Sequence, residues 1–197
     1  DLSQAIKYYR EMSRDPAPQV RATAVRGFGR IDDMDIRYMM IRRFFDDPDS
    51  RVRANAIDLL PEEKPDDVSM LAIVERASKS SSWRERANAI AKLINWGFTE
   101  YEAELINMLD SEEEAVKTSG LWVLGVTHLP HLTYRLREAA NDPRASVRKM
   151  AVRGIGLCGD SDDVRALMPF LQDPDRGVRV AARDALRARL NLSFEIA

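Results

Sequence analysis

Six basic residues, Arg21, Arg53, Arg86, Lys117, Arg148 and Arg179, follow one another at steps of 32, 33, 31, 31 and 31 residues. A regular row of guanidinium forks is suited to gripping carboxylates or phosphates, because each fork presents parallel N–H donors in a fixed plane. Near the end of the chain the pattern thickens. Arg179, Arg183 and Arg187 fall at i, i+4 and i+8, on one side of any helix that carries them. Such a face can bind an anion, phosphate or nucleic acid included, or it can cap an array with a polar outer surface. Arg183 favours the cap, since it occupies the offset filled elsewhere by Val25, Ile57, Ile90, Leu121 and Val152. Leu192, Phe194 and Ile196 beyond it would fold back or pair elsewhere.

Other residue types with chemical capacity are few. Trp122 lies six residues after its signature Val, at an offset held by Arg26, Asp58, Ala91, Arg153 and Asp184 in the other copies. That offset faces outward, so Trp122 is a candidate interface anchor with Arg26, Arg153 and Asp184 as polar surround, the alternative being burial against a twisted neighbour. Trp83 and Trp96 fit packing. His128 and His131 are the two histidines, and neither has a cysteine or carboxylate at ligand spacing, so a solvated turn is expected and no metal site. No His-Glu pair occurs, nor a phosphate-cradling glycine loop, nucleophile elbow or Cys-His pair. Cys158, beside Gly156 and Gly159, reads as a small packing residue. No catalytic residue and no cofactor is expected. The acidic stretches Glu62 to Asp67 and Asp110 to Glu114 read as solvated loops.

The elements that position these residues follow from the repeat. Each basic residue sits in a short signature, a Val or Glu, the basic residue, and a small residue three further on: Ala24, Ala56, Ala89, Gly120, Ala151 and Ala182. A period near 31 residues is that of a stacked array. Within a unit, apolar residues at 147, 151, 152 and 155 give the one-sided pattern of an amphipathic helix, and the same offsets recur at Val20 and Val52. Asp15-Pro16, Asp47-Pro48, Asp142-Pro143 and Asp173-Pro174 precede the signatures, where Asp is expected to cap a helix and Pro to fit its first turn. Second apolar segments, Ile36 to Phe45, Val68 to Ala77, Tyr101 to Leu109, Leu132 to Ala140 and Val164 to Leu171, supply a partner helix, with Leu2 to Met12 for the first unit. Gly29, Gly125 and Gly156 suit helix stops. This predicts twelve helices in six hairpins, covering about 2-31, 32-64, 65-97, 98-128, 129-159 and 160-197. A lone hairpin buries too little apolar surface to offset the entropy of ordering it, so stacking is required, and the small residues would let neighbouring helices come close.

The 197 residues are 45% hydrophobic and 31% charged with a net charge of −2, values of a folded soluble chain without general attraction for nucleic acid or anionic lipid. Nucleic acid is therefore a disfavoured partner. No apolar run reaches the length of a membrane span. A single cysteine suits a reducing, cytoplasmic setting. A start at Asp1 without a leader suits a processed protein or, more readily, a piece of a longer one.

An Asp-Pro turn followed by the Val-Arg-x-x-Ala signature and a Gly, on the second helix of a hairpin, resembles the HEAT-repeat family, with the bacterial, phycobilin-lyase-like branch the nearest in pattern. The resemblance spans essentially the whole chain. It implies an all-α, right-handed α-solenoid of about six HEAT-like hairpins, with signature helices lining the concave side. It also implies that Arg21, Arg53, Arg86, Lys117, Arg148 and Arg179 pair with turn residues Asp15, Asp47, Asp142 and Asp173 in an inter-repeat ladder. Pro61 in place of the stop Gly, the longer Glu62-Glu63-Lys64 loop, and Ser80 and Glu85 in place of Asp and Val depart from the pattern. The function expected is a non-catalytic protein-protein interaction or scaffold module, an adaptor for another protein, a peptide segment or other domains of its own chain. The partner would meet Trp122, Arg26, Arg153, Asn55 and Asn88 on the concave surface. A bilin lyase or chromophore-chaperone subunit, and a nucleic-acid-binding HEAT-like domain, are the alternatives the family leaves open.

Overall fold

The apolar periodicity resolves into helix pairs throughout. The computed structural model describes residues 2–190, and among them are twelve α-helices joined by turns and short 3-10 segments, with no strand. The fold is an all-α solenoid of HEAT-like hairpins. By contacts the chain divides into two units, Asp1–Thr99 and Glu100–Ala197.

In the first unit, α1 (Leu2–Met12) pairs with α2 (Pro18–Phe28). The segment expected as one helix over Ile36 to Phe45 divides into α3 (Met34–Ile41) and a 3-10 turn, Arg42–Asp46, that packs on α4 (Ser50–Asp58). The third pair is α5 (Val68–Ala77) with α6 (Trp83–Asn95). The signature helices α2, α4 and α6 pack side by side. Their seams hold Ala24, Val25, Phe28, Val52, Ala56, Ile57, Ala89, Ile90 and Leu93, all buried. The residues at the small offset are essentially without solvent contact, which is why a larger side chain there would push the helices apart.

In the second unit, α7 (Glu102–Asp110) pairs with α8 (Glu114–Thr127), α9 (Tyr134–Ala139) with α10 (Ala145–Cys158), and α11 (Ser161–Arg165) with α12 (Arg176–Leu190). Here too α8, α10 and α12 lie side by side over a core of Leu121, Leu124, Leu136, Val147, Val152, Val178 and Leu186. The segment expected as one helix over Val164 to Leu171 is broken: α11 ends at Arg165 and a 3-10 turn spans Met168–Gln172. Pro169 lacks an N–H and cannot continue an α-helical ladder. Leu192, Phe194 and Ile196 lie outside the described residues.

Two local expectations are corrected. Gly29 caps α2, but Gly125 and Gly156 lie inside α8 and α10 and stop nothing. A Cβ on Gly125 would stand 2.9 Å from the Gly154 Cα, and one on Gly156 only 2.5 Å from the Ala185 Cβ. They are retained for close helix approach. The turn aspartates also act one step earlier than expected. Asp47, Asp142 and Asp173 each accept from the backbone N–H two residues on, at 2.9, 2.9 and 2.8 Å, folding an Asx turn around the proline. The helix begins after it, so these prolines lie outside the first turn.

Candidate interaction groove and inter-repeat ladder

Arg21, Arg53 and Arg148 share one geometry. Arg21 donates from Nη1 to the carbonyls of Asp15 and Pro16 at 3.0 and 2.9 Å, which leaves Nε and Nη2 aimed at the next repeat. They meet both carboxylate oxygens of Asp47, each at 2.8 Å. Arg148 repeats the arrangement on the carbonyls of Asp142 and Pro143 and on Asp173, whose oxygens lie at 2.9 Å from Nε and Nη2. Both carboxylates are buried. Burial works to raise the pKa of Asp47, but the Arg21 fork and the Asp49 N–H outweigh it and leave the group below the ordinary carboxylate range. The Arg148 fork does the same for Asp173.

Arg53 uses the same backbone anchors, yet its fork grips Glu85 at 2.7 and 2.6 Å. Ser80 takes the turn position and donates its hydroxyl to Glu85 at 2.7 Å. The two departures at unit three are thus one exchange, in which the carboxylate moves from the turn to the signature. Asp142 is engaged by Arg144, which supplies two side-chain donors, while Lys117 acts on it through charge alone. Hydrogen bonds from Arg144 hold the Asp142 carboxyl at about 2. Asp15 accepts from the Ala17 N–H at 2.8 Å and shapes its own turn. Arg86 donates from Nε to the Ser80 carbonyl at 2.9 Å.

Asn55 and Asn88, expected to meet a partner, are buried. Their side-chain amides donate to the carbonyls of Ala22 at 3.0 Å and Ala54 at 2.8 Å, one helix back, so they stitch α2, α4 and α6 together. Their shared offset, three residues after the signature position, is the signal that sequence reading passed over. Lys92 is a second such residue. It is buried on α6, and its ammonium donates to the Leu60 carbonyl at 2.9 Å and to Glu62 at 2.6 Å. Trp96 Nε1 adds a bond to the Pro61 carbonyl at 3.1 Å. These two residues of the following hairpin satisfy the end of α4 where Pro61 replaces the glycine. Trp83 is exposed. His131 pairs with Glu102 at 2.9 Å, a carboxylate 29 residues distant in sequence that spacing alone did not bring forward. Among the described residues no group of three or more metal-ligating side chains occurs.

Trp122 and Arg153 come together in the second unit. They line a groove of about 390 Å³ between α8, α10 and α12, with Met150, Leu157 and Asp184 as the other large side chains. Its floor is small: Gly154, Gly156, Ala181 and Ala185. A Cβ on Gly125 of α8 would meet the Gly154 Cα of α10 at 2.9 Å, and one on Gly156 of α10 would meet Ala185 of α12 at 2.5 Å, so the crossings that bring the three helices together also leave a floor of small residues. Leu157 is 46% exposed, an apolar rim that no part of the described chain covers. Arg26 lies on α2 of the first unit and is exposed. Among the described residues no helix is long and apolar enough to cross a membrane.

No curated protein matches the chain. Among solved structures it is similar to human deoxyhypusine hydroxylase in complex with glycerol, at 19% identity and a TM-score of 0.49, over 96% of this chain and 75% of that one. It is also similar to an engineered protein, at 15% identity and a TM-score of 0.46, over 95% and 96% of the two chains. A designed armadillo repeat protein shows 17% identity and a TM-score of 0.42, over 95% and 99%. The model of the HEAT repeats matches residues 9–69 and 129–191, more than half of the sequence, and the chain belongs to the HEAT-repeat family.

Proposed function

We propose that the protein is a non-catalytic interaction module that holds a partner protein in the groove between α8, α10 and α12. The observation that carries this reading is the groove itself, where Trp122, Met150 and Leu157 surround a floor of glycine and alanine, with Arg153 and Asp184 at the edge. An indole beside an open apolar recess is the anchor type that dominates protein interfaces, and charged side chains at the margin orient what enters without adding much affinity. The shape suits an apolar side chain presented on a helix or an extended peptide. Repeat arrays provide such surfaces as a consequence of stacking. The same proposal places the protein in a bacterial cytoplasm.

Affinity capture from extracts, comparing the wild type with Trp122→Ala and Arg153→Ala, tests it. The reading expects one or a few proteins to be lost with Trp122→Ala while the melting temperature stays within a few degrees. An unchanged set of captured proteins would contradict it.

A further inference from the structure

Among the described residues, Arg179 is a ladder arginine that keeps its backbone anchor with no carboxylate on its fork. Arg179 is anchored like its equivalents, with Nη1 donating to the carbonyls of Asp173 and Pro174 at 2.8 and 2.9 Å. At Arg21, Arg53 and Arg148 that anchoring leaves Nε and Nη2 holding a carboxylate from the next hairpin. Among the described residues no acid meets these two atoms of Arg179. In front of them is a recess of about 350 Å³ lined by Leu171, Arg176, Arg179, Val180 and Arg183. Arg183 is exposed there, its Nε 3.6 Å from the carboxylate of the likewise exposed neighbour Asp184, at the offset where Val25, Ile57, Ile90, Leu121 and Val152 are each no more than 1% exposed.

We propose that this face of α12 docks an acidic protein segment, one of whose Asp or Glu side chains completes the ladder on Arg179 while a second acid meets Arg183. Three rungs of the same chain define the ligand chemistry: two coplanar oxygens at 2.6 to 2.9 Å from Nε and Nη2. A carboxylate fits that fork in bidentate fashion. Arg176 and Arg183 make the surroundings cationic, which rejects an apolar hairpin and favours an acidic one. A second copy of this chain would not dock there through its first hairpin, where Lys7 and Arg10 of α1 and Arg14 just after it line a recess with one acid, Glu11. The recess shares no lining residue with the groove at Trp122, and although Arg183 is paired with Asp184 at that groove's edge, Trp122→Ala touches neither and distinguishes failure of one proposal from failure of the other.

The test follows the arginine Nε–H resonances by NMR. The full chain is titrated with a capped peptide, Leu-Gln-Asp-Pro-Asp-Ser-Gly, and with the same peptide carrying Asn for both Asp. The proposal expects a saturable shift at Arg179, with affinity for the Asp peptide about tenfold above the Asn peptide, the change that one charge-assisted hydrogen bond makes. Arg183→Gln, at an exposed position, should weaken binding severalfold with the fold intact, and Arg179→Gln should abolish it. Equal response to both peptides, or none, would overturn the proposal. So would preferential displacement by a single-stranded oligonucleotide, a concentration-dependent Arg179 shift without peptide that marks self-association, or binding that emerges only when residues 191–197 are removed.

Discussion

Arg53 and Glu85, 32 residues apart, form a bidentate pair at 2.7 and 2.6 Å that replaces the Arg-to-turn-Asp rung found at Arg21–Asp47 and Arg148–Asp173. The carboxylate reaches the fork from the signature helix instead of from the turn, and Ser80 fills the vacated turn position. A carboxylate is therefore required between α4 and α6, whereas its point of attachment is not fixed. Glu85 is buried, so Glu85→Ala leaves the Arg53 fork without a partner and should cost about 2–4 kcal/mol. Adding Ser80→Asp should recover more than half of that loss. A double-mutant cycle by chemical denaturation measures the coupling.

The buried ammonium of Lys92 acts as the cap that Pro61 denies to α4. Lys92→Met retains the apolar stem but leaves the Leu60 carbonyl without its donor, and should destabilise by about 1–3 kcal/mol. Its carboxylate partner Glu62 is largely solvated, so Glu62→Gln should change stability by less than about 0.5 kcal/mol. Comparing the two denaturation midpoints separates capping of the carbonyl from the ion pair.

Acid should loosen the turns before the seams. In the folded chain the carboxyl of Asp142 is held at about 2 by Arg144, and those of Asp173 and Asp47 also lie below their ordinary values. Unfolded, each titrates near about 3.9. Because the folded values are the lower ones, the unfolded chain takes up more protons through this window. The stabilisation is complete above about pH 4 and is lost as the pH falls toward 2. The melting temperature should drop over that interval, and Arg144→Gln with Arg148→Gln should flatten the drop. A slope unchanged by the double variant would show that other carboxylates govern it.

Much of the fold was written in apolar spacing, because a helix face that must be buried admits few residue types. The small residue of each signature is buried in the seams, and α5 spans the residues that its pattern marked. Side-chain hydrogen bonds between repeats were less legible, since they join residues 25 to 35 positions apart whose chemistry is complementary without being alike. Asn55 and Asn88 resemble surface amides in sequence, yet each satisfies a carbonyl of the preceding helix. Lys92 becomes intelligible only beside the missing glycine at Pro61. Gly125 and Gly156 carry the same letter as Gly29 but answer to close packing, a requirement set by neighbouring helices rather than by the local chain. Trp122 and Arg153 were readable as a pair from their common offset. The depth of the recess between them was not, since it depends on small residues contributed by α10 and α12.

The groove's role is tested most directly by placing a photo-crosslinking benzophenone residue at Met150 or Ala188, inside it, and at Met39 on α3 as a control, in cells that express the protein. The account predicts a discrete protein adduct from Met150 and Ala188 that disappears with Trp122→Ala, and none from Met39. Adducts of equal yield from all three positions, or none from the groove, would contradict it.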